Sequence, residues 1–212
     1  MIPNSPNWSD KTLSQDYIKY DEIKPLPLDD DDIIQVIEIG PDNLYDSHGR
    51  LDKRYWLLYE NPDTEGEILI SRGNNGLWET PIILFRDAQK INELSLTFDQ
   101  LGNPVVFYRF YADFLKLYWY NPITSAYEIK NLATGSNLLS GFDSRQDAGV
   151  TYSDAMLFYV RDYKIYMRVQ RDRYEIEYET PTVGKIVDLR SCGMTVNNRF
   201  QVLYRYDKIE EI

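Results

Sequence analysis

Asp46, Ser47 and His48 are the residues of this chain nearest in type to a hydrolytic triad: a carboxylate to orient, a hydroxyl to attack and the only imidazole in the sequence to take its proton. Immediate neighbours in one polar loop, Tyr45 to Arg50, do not reach the geometry of a proton relay, and no nucleophile elbow surrounds Ser47. They read as a polar turn. Asp29, Asp30, Asp31 and Asp32 offer hard oxygen ligands of the kind calcium takes. An EF-hand alternates its acids, places a Gly at the centre and ends on a distal Glu, so four successive Asp read instead as a solvated, self-repelling loop. The chain has no phosphate loop, dinucleotide fingerprint or zinc ligand set, and nothing in the spacing of its 34 acidic residues locates a glycosidase pair. The expectation is a chain with no catalytic residues, no metal and no cofactor.

Aromatic residues are the other chemistry available. They make up 14% of the chain, and 18 of them are Tyr. Tyr fills half-buried strand faces well, and it is also enriched at interfaces. The candidate contact anchors are Trp8, Tyr17 and Tyr20 near the N-terminus, and Tyr118, Trp119 and Tyr120 in an aromatic run further on. Such rings seat in a protein partner or stack on a sugar.

Charge narrows the partners. The net charge of −11 and pI of about 4.6 argue against nucleic acid and against an anionic membrane surface, both of which want basic patches. The basic stretch from Arg161 to Arg173 is largely neutralised by Asp162, Asp172 and the Glu residues that follow. No apolar run reaches the roughly 20 residues that cross a bilayer. The start, MIPNSPNWSDK, lacks the basic and apolar regions of a secretory signal. The single Cys192 cannot close an internal disulfide, and its place at the head of an apolar run suggests a packed thiol. Synthesis in a reducing cytoplasm is expected. With 43% apolar and 27% charged residues, the chain can fill a sizeable core.

The elements that would position these residues repeat. Leu94–Phe98, Val105–Phe110, Leu115–Tyr120 and Tyr127–Leu132 read as four short strands. In the first, Leu94, Leu96 and Phe98 alternate with Ser95 and Thr97, one apolar face and one polar. The turn after it holds Asp99, Gly102 and Pro104: Gly102 permits a positive φ, and Pro104 starts the next strand without a ladder donor. A second copy has strands at Gly149–Tyr152, Met156–Val160, Lys164–Gln170 and Tyr174–Glu179, with turns at Ser153-Asp154 and Arg161-Asp162. A turn at Arg171-Asp172-Arg173 brings Arg168 opposite Glu177 and Gln170 opposite Glu175, cross-strand pairs that help fix register. A third copy begins at Cys192 and stops at its second strand. Thr97, Thr151 and Thr195 hold the same place in the three.

A less similar unit lies upstream, with strands at Ile33–Ile39, Tyr55–Tyr59, Glu67–Ser71 and Leu77–Leu84. Gly73 to Gly76 form a turn, and Pro81 makes the last strand an edge or breaks it. Four-stranded units recurring at roughly 45–55 residues are the mark of propeller-like arrays. The expected fold is therefore all-β: an N-terminal arm over residues 1–32, then a propeller-like domain over 33–212. Its units span 33–86, 94–132 and 148–180, with a partial unit over 192–212. Three and a half units fall short of the four of the smallest closed propeller. Residues 1–28 supply the missing strands, or the array stays open, or another chain completes it; an incomplete array docked against partners is the expectation.

The run Leu96-Thr97-Phe98-Asp99-Gln100-Leu101-Gly102-Asn103-Pro104-Val105-Val106, followed by Leu117-Tyr118-Trp119-Tyr120-Asn121, resembles repeats of virion structural proteins from tailed bacteriophages, in their tail, neck and baseplate regions. The resemblance covers residues 94–132 well and 148–206 partly; the later copies lack the Gly-x-Pro turn. It implies a non-enzymatic virion component whose partners are other virion proteins and copies of itself. A carbohydrate-binding module that recognises a host-surface glycan through exposed Tyr or Trp is the alternative.

Overall fold

The computed structural model describes residues 35–40, 54–74, 77–99, 101–147, 150–194 and 200–207. The N-terminal arm with Trp8, Tyr17, Tyr20 and Asp29 to Asp32, the Asp46–His48 loop and Thr195 lie outside the described residues. The described chain is all-β. Its only helical turns are two 3-10 turns, Tyr111–Asp113 and Gln170–Asp172, and no described helix is long and apolar enough to cross a membrane.

The strands form four antiparallel sheets, taken up in chain order. The first holds β1 (Gln35–Gly40), β2 (Arg54–Glu60), β3 (Glu67–Asn74), β4 (Leu77–Trp78) and β5 (Ile82–Arg86). Both β4 and β5 pair with β3, so together they form one edge strand interrupted at Pro81, as the missing proline N–H demands. The second sheet is the meander β6 (Ile91–Phe98), β7 (Pro104–Phe110), β8 (Phe114–Asn121) and β9 (Ala126–Thr134). These are the four strands expected from the sequence, each a little longer.

The third sheet corrects the phase of the second copy. Its strands are β10 (Ser136–Asp147), β11 (Val150–Arg161), β12 (Lys164–Val169) and β13 (Tyr178–Thr180). The chain passes Ser153 and Asp154 in the middle of β11 without turning, and they pair with Ser144 and Asp143 of β10. Asp154 has no need of a turn: its carboxylate accepts the Arg171 N–H at 2.9 Å. Thr151 therefore lies in a second strand, whereas Thr97 lies in a first. The expected last strand also shortens. Arg173 and Tyr174 follow the 3-10 turn with φ of 52° and 57°, so pairing resumes only at Tyr178. The fourth sheet is β14 (Lys185–Met194) with β15 (Phe200–Asp207). Cys192 thus falls late in a strand that begins at Lys185.

Successive sheets pack face to face. Leu58, Ile68, Ile70 and Phe85 of the first sheet meet Leu94, Leu96, Phe98, Val106, Tyr108 and Tyr118 of the second. The reverse face of the second sheet, with Val105, Phe107, Leu117 and Trp119, meets Leu157, Tyr159 and Tyr174. Met156, Phe158, Ile165 and Val169 then meet Ile186 and Leu189, with Val202 and Tyr204 alongside. The runs Val105–Tyr108 and Ala155–Val160 are buried at every position. Strands covered on both faces read as continuous apolar runs, and each large side chain so buried contributes about 1.5–3 kcal/mol. The polar face of β6 is covered too: Ser95 and Thr97 are buried, and Ser95 Oγ lies 2.7 Å from Ser140 Oγ of β10.

One main-chain device joins each sheet to the next. The Gly66 carbonyl accepts the Asp87 N–H at 2.8 Å, the Asp113 carbonyl accepts the Gly135 N–H at 2.9 Å, and the Tyr163 carbonyl accepts the Ile186 N–H at 3.0 Å. All three acceptors sit between the second and third strands of their sheet, and all three are left-handed, with φ of 73°, 61° and 62°. Each donor lies where the chain enters the following sheet. Side chains reinforce the joints: Glu60 Oε1 accepts the N–H groups of Gly66 and Ile91, and Glu93 Oε1 accepts that of Leu138. First strands lie side by side in consequence, β1 by β6, β6 by β10 and β10 by β14.

Gly66 is the sharpest point of this device. A Cβ there would stand 2.2 Å from the Asp87 carbonyl oxygen, at a φ that L-residues adopt at a cost of about 1–2 kcal/mol. Gly66→Ala should lower stability by at least that amount, read as a drop in the thermal midpoint and in the urea midpoint at unchanged slope.

Candidate functional site

Asp99, Gly102 and Pro104 build the tight turn between β6 and β7. Asp99 is buried, and its carboxylate accepts the N–H groups of Leu101 and Asn103 and the Asn103 side-chain amide, each at 2.8 Å. Gly102 takes φ 81° and donates its N–H to the Asp99 carbonyl. Pro104 opens β7 opposite Phe98. All of this chemistry is spent within the turn.

The aromatic anchors expected in β8 divide. Trp119 is buried between the second and third sheets, edge-on to Tyr174 at 5.4 Å. Tyr118 is buried on the opposite face and stacks on Phe85 at 4.7 Å. Neither ring is presented to a partner, because β8 is a strand covered on both faces. Tyr120 is half-buried and meets Tyr127 edge-on at 5.4 Å. Its partner in that contact, Tyr127 of β9, reaches the surface and is 42% exposed. It lies parallel to Tyr118 at 5.0 Å, and its hydroxyl donates to Asn103 Oδ1 at 3.2 Å. Two residues on, Ile129 is equally exposed. Burial, with Tyr127 beside it, pushes the Tyr118 hydroxyl up to about 12. Tyr127 was missed in the sequence because its exposure depends on β9 being an outer edge; period-2 alternation in that strand is the signal that could have found it.

The basic stretch of the third sheet is paired within itself. Glu177 accepts hydrogen bonds from Arg161, Arg168 and the Tyr159 hydroxyl, with Arg168 Nη2 at 3.1 Å. The expected Arg168–Glu177 pair therefore forms, in line with the ladder that places Met167 opposite Tyr178. The Gln170–Glu175 pair does not: Gln170 accepts the Ala155 N–H, and Glu175 takes Lys130 of the second sheet at 2.6 Å. Burial alone would raise the Glu177 carboxyl, but the hydrogen bonds from Arg161 and Tyr159 and the two guanidinium charges hold it below the usual range. Arg161 also lies over the Tyr166 ring at 4.2 Å. The Tyr174 hydroxyl is buried with no hydrogen-bond partner among the described residues. Burial pushes its pKa well up, and the charges of Asp99 and Asp154 add to this.

A third polar cluster closes the joint between the first two sheets. Lys116 Nζ donates to both Asp87 oxygens, at 3.0 and 2.7 Å, and the Tyr108 hydroxyl donates to Oδ2 at 2.8 Å. Lys116 also sits 4.3 Å from the Phe110 ring centre. Among the described residues, no group of three or more His, Cys, Asp or Glu could hold a metal ion. Compared with known proteins, the chain matches no family and no curated protein.

The Asp87 cluster makes a pH-dependent contribution. Burial pushes its carboxyl up, but hydrogen bonds from Lys116, Tyr108 and the Ala88 N–H, with the Lys116 charge, more than offset that and hold it below the ordinary value. A depressed folded pKa gives stability that is complete above the unfolded value of about 3.9 and is lost as pH falls through the folded one. Asp87→Asn should therefore destabilise most at neutral pH, and the gap from wild type should narrow below about pH 4, measured by urea unfolding across a pH series.

Proposed function

We propose that this chain is a non-enzymatic structural component that works through protein–protein assembly, and that its sheets are the units of a propeller-like array of about three and a half. The observation that carries this reading is the thrice-used joint from a left-handed turn carbonyl to the next sheet's incoming N–H. It supports a serial stack with first strands side by side and last strands outermost, the order of strands in a propeller unit. The buried carboxylates Glu60, Glu67 and Asp99 and the half-buried Asp87 all accept hydrogen bonds from the chain itself, which favours scaffold over catalyst. The setting in a phage virion, at the tail, neck or baseplate, comes from the resemblance of residues 94–132. Its partners there are other virion proteins and further copies of this chain.

Removing residues 1–28 tests the assembly. The truncated chain is expected to keep its sheets by circular dichroism and to fail to join assembled particles. A truncated chain that still joins them removes the arm from the contact and leaves the assembly reading; a full-length chain that stays a stable monomer and joins no particle overturns it.

Carbohydrate binding is the second reading, and the exposed Tyr127 ring, held in place by Tyr118, favours it. A ring fixed before binding loses little entropy when a sugar stacks on it. On a glycan array, binding that disappears with Tyr127→Ala would support this reading; an array without signal removes it.

A further inference from the structure

The three larger sheets each end in an outer strand, and these differ sharply. The first sheet's edge is broken at Pro81, leaving β5 with five residues. The third sheet's edge, β13, has three residues and runs into Pro181. The second sheet's edge, β9, has nine residues, AYEIKNLAT, with no Pro or Gly. Its outer side pairs with no strand among the described residues. A long edge of this kind displays a row of open main-chain donors and acceptors, and proteins ordinarily blunt it. Here Tyr127 and Ile129 instead stand exposed along it.

Its charges select a partner. From Ala126 to Asn131 the strand is regular against β8; the register shift lies beyond, between the partners of Lys116 and Phe114. Antiparallel pairing of this stretch with itself, about a two-fold axis at Ile129, sets Ile129 opposite Ile129 and Tyr127 opposite Asn131. It also sets Glu128 opposite Lys130, twice. Opposite charges directly across a ladder stabilise the pairing and fix its register. Both groups retain capacity for this: Lys130 uses two N–H bonds within its own chain, to the Arg173 carbonyl and Glu175. Glu128 accepts from Asn121 and Thr124 and keeps further lone pairs. The axis stands perpendicular to the sheet, so both copies keep Tyr127 and Ile129 on the same face.

We infer that β9 is a homodimerisation edge, at which a second copy of this chain adds its own β9 antiparallel to make one eight-stranded sheet centred on Ile129. The inference rests on the assembly reading above for its purpose, and names the surface and the partner.

The full-length chain, followed by sedimentation or light scattering over a concentration series, is expected to dimerise. Lys130→Glu or Glu128→Lys alone places like charges opposite each other twice and should weaken the dimer roughly tenfold or more. The double exchange of Glu128→Lys with Lys130→Glu should restore it. Cross-linking gives an independent readout. In a Cys192→Ser background, Ile129→Cys brings two thiols to paired Cα positions about 4.5–5.5 Å apart, within disulfide reach, and should give an oxidised dimer. Asn131→Cys in the same background should not. A wild-type chain that is monomeric throughout, a Lys130→Glu chain that dimerises like wild type, or Ile129→Cys cross-linking no better than Asn131→Cys overturns the inference. A monomeric chain that still enters particles removes the β9 dimer and leaves the assembly reading. A β9 dimer that enters no particle does the reverse.

Discussion

The structure hangs on a single kind of main-chain hydrogen bond, made three times. A carbonyl in a left-handed turn accepts the N–H of the segment that leads into the next sheet. The bond spans the one place where each meander would otherwise be free to swing, since ladder bonds hold strands within a sheet and say nothing about how sheets are mutually placed. Once it is made, the first strands of neighbouring sheets lie side by side, and their broad apolar faces must meet. Two of the acceptors, Asp113 and Tyr163, bear the cost of a left-handed conformation without being glycine. Such strain persists only where the surroundings over-determine it.

Much of the fold was legible because burial on both faces leaves a plain trace. Val105–Tyr108 and Ala155–Val160 are continuous apolar runs, and both proved to be central strands. The Asp99–Gly102 turn, the break at Pro81 and the Arg168–Glu177 pair follow from side-chain chemistry acting within a few residues or across one ladder. The joints were not legible. Nothing in Tyr163 announces a positive φ, and an asparagine or glycine there would have. The phase of the third sheet was misplaced for a related reason. Ser153-Asp154 has the composition of a turn, but its carboxylate is engaged by the Arg171 N–H, just past the end of the neighbouring strand β12.

The same double-sided burial explains the aromatic anchors. Tyr118 and Trp119 stand next to each other in β8, so they point into different cores. Surface and core cannot be told apart by residue type when both faces of a strand are covered. In the outer strand, by contrast, Tyr127 carries the stack that begins at Phe85 and Tyr118 out to solvent. The fourth sheet shows the opposite design. One face takes Val202 and Tyr204 into the last core, while the other carries Asp188, Arg190, Leu203 and Arg205. Three charged side chains and an exposed Leu203 make up that outward face, and among the described residues no further sheet packs on it.

The direction of the joints bears on how the chain is made. Each left-handed carbonyl belongs to the earlier sheet, and each donor lies later in the chain, where it enters the next one. Hairpin pairing within every sheet is local in sequence, which favours rapid closure. A sheet emerging from the ribosome can therefore complete its ladder and its turn before the residue that will bind that turn has been synthesised. The molecule is built to be docked in the order in which it is translated, every finished layer serving as the template for the next.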